Sequence, residues 1–221
     1  WRRRPRVVLL GAVERAVPWF IRARRYGLLR GARLVVTNQL HLSEQQLAQV
    51  DRVIVHATAF THGNGHLRKR AVFVPIPADG DFERARAEAV PRPVVFTGGG
   101  EGRDFGSVIE AVRGEDFRLE LITFSPTTLG YDRELPPNVE VRWRMTVAEF
   151  LARMAGALFV VVPLRSPDSP HGQMLAVQAL ALGKPVIATR SPGVIDYVED
   201  GREGLLVEQG DVEGYRRAIQ T

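Results

Sequence analysis

Two stretches of the chain hold residues whose types and spacing could do chemistry. The first is Thr97 to Phe105, TGGGEGRDF, where glycines stand between an apolar run and an amphipathic one. Glycines at a strand-to-helix turn let backbone N–H groups come close to a diphosphate, and the helix start adds partial positive charge. Arg103 follows the glycines and can fork two hydrogen bonds onto phosphate oxygens. Gly98, Gly99, Gly100 and Arg103 are therefore candidate diphosphate contacts. The second stretch is Ser166 to Gln178, SPDSPHGQMLAVQ. Met174, Leu175, Val177, Leu180 and Leu182 recur at helical spacing, so a helix opens near Gly172. Its first amides, at His171, Gly172 and Gln173, have no partner within the helix and are free to meet an anion or a sugar. Taken alone, His171 reads as an exposed loop residue.

Other patterns imitate sites. Gly98 and Gly100 begin a dinucleotide fingerprint, but Arg103 stands where the third glycine belongs. Glu120, about twenty residues on, falls in the middle of a strand instead of at its end. Asp79-Gly80-Asp81 imitates a metal-binding Asp-x-Asp, yet its place after a strand reads as a turn. No His or carboxylate cluster has metal spacing, so no metal and no cofactor is expected. Lys184, in a Gly-Lys-Pro turn, reads as structural.

The elements that must position these residues follow from apolar periodicity. Strands are expected at 6–10, 34–37, 52–55, 71–74, 94–97, 118–122, 139–142, 158–162, 185–189 and 204–207. Helices are expected at 14–30, 43–50, 103–112, 147–154, 172–182 and 193–199. Alternating strands and helices with short links build parallel sheets covered on both faces. Residues 81–92, polar and rich in Ala, end in Pro91-Arg92-Pro93 and read as an interdomain linker. The fold class is α/β, with two doubly wound Rossmann-like domains, the first incomplete.

The stretch QALALGKPVIATRSPGVIDYVEDGREGLLVEQGD resembles the C-terminal half of retaining GT-B glycosyltransferases of family four, the group 1 glycosyl transferases. The matching positions are Ala179, Gly183, Lys184, Pro185, Gly193, Asp196, Asp200, Gly201, Gly204 and Asp211. The resemblance implies that residues 1–88 are the C-terminal part of an acceptor-binding domain. Residues 89–221 would be a nucleotide-sugar donor-binding domain lacking its C-terminal end. It also implies transfer of a sugar from a nucleoside diphosphate sugar to a glycan, lipid or small-molecule hydroxyl, with retention. In that family one of two basic positions near the glycine loop matches Arg103, and Gly99 or Gly100 stands near the other. Two glutamates flank the second helix start in the family; Pro170 and Gln178 occupy those positions here. Gln178 keeps donors and an acceptor for ribose hydroxyls, and Asp168 is the carboxylate nearest to Pro170. By the same likeness Arg142-Trp143-Arg144-Met145 lies near the nucleobase, with Arg144 as the candidate contact. Pro170 also leaves open a non-catalytic nucleotide- or carbohydrate-binding relative, and a nucleotide-sugar epimerase shares the fold.

Composition bounds the rest. The chain has 221 residues, 45% hydrophobic and 25% charged, the balance of an ordinary globular protein. It opens on Trp1 and closes within a helical run, which reads as a fragment cut at both ends. There is no cysteine, which excludes disulfides and fits a reducing compartment. The net charge is +5, and of 30 basic residues only Lys69 and Lys184 are lysines. The surplus fits an anionic partner such as phosphate or an acidic membrane face. No nucleic-acid motif accompanies it, so nucleic acid is not expected. Between 14 and 30 the arginines oppose Val17, Phe20, Ile21, Leu28 and Leu29. That basic amphipathic segment is a candidate for peripheral contact with the cytoplasmic face of a membrane, and the protein is expected to be cytoplasmic.

Overall fold

The apolar runs become parallel strands in the computed structural model, which describes residues 6–11, 16–37, 42–62, 65–100, 102–166 and 171–221. They form two sheets in two compact units, residues 1–75 and 76–221. The first unit holds β1 (Val7–Leu10), β2 (Arg33–Thr37), β3 (Arg52–Val55) and β4 (Ala71–Phe73), parallel and in that order. Val8 pairs with Leu34, Val36 with Val53 and Ile54 with Val72. Helix α1 (Val17–Arg25) lays Val17 and Ile21 on the sheet, where Leu34, Val36, Val53 and Val55 complete the core. The sequence pattern extends this helix over 14–30; Gly27 and Gly31, both at positive φ, follow its end instead. Ser43 caps α2 (Glu44–Leu47) in a capping box with Gln46. A 3-10 turn at Thr58–His62 and α3 (Gly65–Arg70) fill the β3–β4 crossover, a short polar stretch with no apolar periodicity to announce it.

The second unit begins at Ile76, earlier than the expected boundary at 88. Phe82–Ala87 forms α4 instead of a linker, capped by Asp81, whose carboxylate accepts from the Arg84 amide. That turn is the role of the Asp79–Asp81 stretch. Ala85 is buried with Leu151 and Met154, and Phe82 packs against the same cluster. The Ile76 amide donates to the Tyr197 hydroxyl at 2.9 Å, and Gln178 Nε2 donates to Asp79 O at 3.0 Å. The charges of Glu83, Arg84 and Arg86 hid this narrow apolar stripe.

Six parallel strands follow: β5 (Val94–Gly98), β6 (Arg118–Thr123), β7 (Val139–Trp143), β8 (Phe159–Val162), β9 (Val186–Thr189) and β10 (Gly204–Val207). Their spatial order is β10-β9-β8-β5-β6-β7. On one face α4, α7 (Val147–Gly156) and α8 (Gln173–Ala181) bury Phe96, Ile122, Val160, Val162 and Ala188. On the other, α5 (Phe105–Val112) and α9 (Val212–Gln220) cover Val95, Leu119, Leu121, Val161 and Ile187. A short helix α6 (Pro126–Leu129) follows β6. Residues 193–199, expected as a helix, are successive turns that bury Val194 and Val198. A segment this short, opening on Pro192-Gly193, does not sustain a helical nucleus.

Both faces covered and one reversal of strand order define a doubly wound sheet. From β5 the chain runs outward through β6 and β7, then returns to lay β8 on the other side of β5. The crevice beyond the carboxyl ends of β5 and β8 is where such sheets take ligands.

Candidate functional site

The two glycine-bearing stretches meet at that crevice. The loop after β5 is zipped to the loop after β8: the Asp104 amide donates to Pro163 O at 3.2 Å, and the Arg165 amide to Gly102 O at 2.9 Å. Between these bonds Arg103 and Leu164 form an antiparallel bridge. Leu164 is held from below, its amide donating to Thr189 Oγ1 at 2.6 Å, with the buried Tyr215 hydroxyl 2.7 Å from the same oxygen. Burial pushes the Tyr215 phenol up, so it stays protonated and available as a donor.

Arg103 does not start a helix, as the sequence had suggested. Asp104 is the N-cap of α5, accepting from the Ser107 amide, and Arg103 precedes it in the bridge. Its side chain is only 9% exposed. Nε donates to Gly98 O at 3.1 Å. Burial alone lowers the guanidinium well below its usual range, to about 10, and no carboxylate among the described residues offsets that loss. It is a cation at neutral pH, taken out of water beside a loop of backbone amides, with no carboxylate partner among the described residues.

The glycines are required by their surroundings. Gly99 has φ +116, and a Cβ there would lie 3.0 Å from Arg103 Nε and Nη2. Gly102 has φ +74, and a Cβ would run into the His171 ring. Gly172, at φ +94, sits against Leu164, Val162 and Val194 and is the N-cap of α8. The structure thus brings Gly98, Gly99, Gly100, Arg103, His171, Gly172 and Gln173 to one end of the sheet. Gln173 is buried and His171 is exposed. Asp168, Pro170 and Glu101 lie outside the described residues.

Next to Gly99 opens a mostly apolar cavity of about 230 Å³, lined by Gly99, Ile122, Thr123, Phe124, Met145, Val147, Phe150 and Gln178. Gln178 therefore sits at the site, with its carboxamide nitrogen already committed to Asp79 O. Phe124, 66% exposed, leans over Gly100, and Phe150 meets Phe96 edge to face. The sequence reading missed Phe124 and Phe150. The available signal for Phe124 was an aromatic one residue past a strand's carboxyl end. Arg144 follows β7 with φ +48, a conformation uncommon for a side chain of its size, and is exposed next to Met145.

Two other polar groups are structural. Glu120, 1% exposed, faces Arg92, Arg153 at 2.5 Å and Arg142 at 3.3 Å. Lys184 donates to Ala157 O at 2.7 Å, and burial lowers its pKa. Among the described residues no group of three His, Asp or Glu could hold a metal.

Residues 103–221 match the family described as glycosyl transferases group 1. The chain belongs to that family. The matched stretch covers α5 to α9 and includes Arg103, the Arg142–Met145 loop and the opening of α8. An uncharacterized glycosyltransferase of Methanocaldococcus jannaschii is 32% identical over 116 residues, 51% of this chain and 32% of that protein. The lipopolysaccharide core biosynthesis glycosyltransferase LpsE of Rhizobium meliloti is 38% identical over 78 residues, 35% of this chain and 21% of that protein. The matches thus span about a third or less of those relatives. The crystal structure of Anabaena HepE in complex with UDP aligns over 96% of this chain and 68% of its own, at TM-score 0.69 and 18% identity. The fold of the group 1 transferase chain is accordingly GT-B, with two Rossmann-like sheets. A UDP-GlcNAc 2-epimerase from M. jannaschii shares it at TM-score 0.56 and 13% identity, over all of this chain and 70% of its own.

Proposed function

We propose that this chain binds the donor in an enzyme that moves a sugar from a nucleoside diphosphate sugar to an acceptor hydroxyl, with retention at the anomeric carbon. The observation that carries the reading is Arg103, a buried guanidinium without a described counter-ion, held between the glycine loop and the opening of α8. A diphosphate would supply the missing charge. In this reading the base occupies the apolar cavity beside Gly99, with Phe124 over its face. Gln178 meets the ribose through its carboxamide oxygen, and Arg144 guards the rim of the base site.

The chemistry follows from charge. As the anomeric bond breaks, the sugar takes on oxocarbenium character and negative charge grows on the diphosphate. Arg103, the amides of Gly98–Gly100 and the first amides of α8 would stabilise that charge without a metal. Chelation is therefore expected to leave transfer unchanged, and activity lost to EDTA and restored by manganese would overturn the metal-free reading. The acceptor is a glycan, a lipid or a small molecule. The likeness to LpsE, whose name places it in lipopolysaccharide core biosynthesis, supports a glycan or glycolipid.

Calorimetry of the chain with nucleoside diphosphates and the matching nucleosides tests the donor reading. One diphosphate should bind at least tenfold more tightly than its nucleoside; equal affinities would remove the phosphate site. Pro170, where the family carries a carboxylate, favours a second reading as a non-catalytic binder. Hydrolysis of the bound donor sugar separates the two, since a binder leaves it intact.

A further inference from the structure

We infer that the outer face of α1 and the turn after it form a docking surface for an anionic lipid bilayer. This rests on the first unit alone and does not depend on the donor reading. Helix α1 buries Val17, Ile21 and Ala23, so its opposite face is free to carry polar residues. Beside its arginines it carries large aromatic ones: Trp19 is 68% exposed and Tyr26, just past the helix end, 79%. Leu28 in the following turn is 69% exposed. Trp19, Arg22 and Tyr26 stand three and four residues apart, which aligns them along one line of the helix.

The chain segment that carries these side chains has charge of one sign. From Arg15 to Ser43 the sequence has no Asp or Glu and six arginines. Arg24 is turned to Asp51 at 2.6 Å and is not counted. Arg22, Arg25 and Arg30 are exposed, and among the described residues none has an acidic partner. Aromatic rings and arginines on one surface match the headgroup layer of a bilayer, where Trp and Tyr settle and Arg meets lipid phosphate. No helix among the described residues is long and apolar enough to cross a membrane, so the contact is peripheral.

Each basic residue at an anionic surface contributes about a factor of five in partitioning. The three arginines should then give a preference on the order of a hundredfold for anionic over neutral vesicles. The experiment is sedimentation of the chain with phosphatidylcholine vesicles, with and without about a third phosphatidylglycerol. The chain should pellet only with the anionic vesicles, and less so as salt rises. Arg22→Gln with Arg30→Gln should weaken partitioning about twenty-five-fold. Trp19→Ser with Tyr26→Ser should weaken it tenfold or more. All four positions are exposed, so circular dichroism and the unfolding midpoint should hold. Binding should also shift tryptophan emission to the blue, and Trp19→Phe should remove most of that shift. Equal pelleting with neutral vesicles, no pelleting with either, or variants that bind like the parent would overturn the inference. So would a self-association abolished by Trp19→Ser in a chain that ignores vesicles, which would assign the face to a second copy.

Discussion

Replacing Arg103 by Met should move stability and binding in opposite directions. Burial lowers the guanidinium well below its ordinary value, to about 10. At about 1.4 kcal/mol for each unit, the charged form carries a cost of about 3 kcal/mol in the empty protein. The folded pKa lies below the unfolded one, so this cost is fully present below pH 10 and fades only as pH rises above 10 toward the unfolded value. Across pH 6 to 9 it is constant. Met reproduces the side chain as far as Nε and removes the charge, at the loss of one hydrogen bond to Gly98 O, worth about 1 kcal/mol, and of the packing of the guanidinium end. The empty Arg103→Met protein should therefore unfold no earlier than the parent, and later by up to about 2 kcal/mol. For a nucleoside diphosphate the same change removes a charged hydrogen-bond partner worth about 1.5–3 kcal/mol, a loss in affinity of about ten- to hundredfold. The nucleoside should lose little. Arg103→Lys should recover part of the diphosphate affinity, since a point charge replaces a planar fork. Thermal unfolding of the empty protein and calorimetry with both ligands decide the matter. A midpoint several degrees lower, with equal losses for both ligands, would mean that Arg103 holds the loop together and the phosphate site lies elsewhere.

Other substitutions test the surrounding assignments. Gly99→Ala puts a methyl 3.0 Å from the Arg103 guanidinium at φ +116, so diphosphate affinity should fall at least tenfold by calorimetry. Glu120→Ala leaves Arg92, Arg142 and Arg153, all partly solvated, around an empty carboxylate site, and chemical denaturation should show a loss of about 1.5–3 kcal/mol. The Glu110 carboxylate accepts from Arg113 and from the Tyr131 hydroxyl, which together with the charge of Arg133 hold it down at about 2. Its contribution is present above its unfolded value near 4.5 and lost as pH falls toward 2. Glu110→Gln should therefore flatten the acid limb of the stability curve by on the order of 1 kcal/mol, allowing for its solvent-screened partners.

The β-strands were the most legible part of the sequence, because a strand buried on both faces is written as a continuous apolar run. Val94–Phe96 and Val160–Val162 are such runs, and both are wholly or nearly wholly buried. Elements whose stability comes from tertiary contact were less legible. Phe82–Ala87 has one narrow apolar stripe and becomes a helix by packing on α7. Residues 193–199 carry helical spacing but bury Val194 and Val198 through turns. The glycine loop and Arg103 could be read as a candidate phosphate site because glycine and arginine have chemistry that is independent of context. The cavity beside Gly99 could not, because its walls come from Ile122, Met145, Phe150 and Gln178, four elements that only the sheet order brings together.

The six-stranded sheet holds two arginine environments that local propensity does not separate. Beside the start of β5, Arg92, Arg142 and Arg153 converge on Glu120, and the carboxylate answers their charge within the protein. Beyond the carboxyl ends of β5 and β8, Arg103 is buried more deeply with a carbonyl as its only described acceptor. The glycines at positive φ next to it, Gly99, Gly102 and Gly172, admit backbone geometry that side chains resist, and Arg144 adds strain at the rim. Among the described residues no carboxylate answers Arg103, whereas Glu120 answers the arginines at the other end of the sheet. On the proposed reading, a ligand that brings its own negative charge would answer Arg103, which has no carboxylate partner among the described residues. The opposite signs expected for Arg103→Met in stability and in affinity are the direct consequence of that reading.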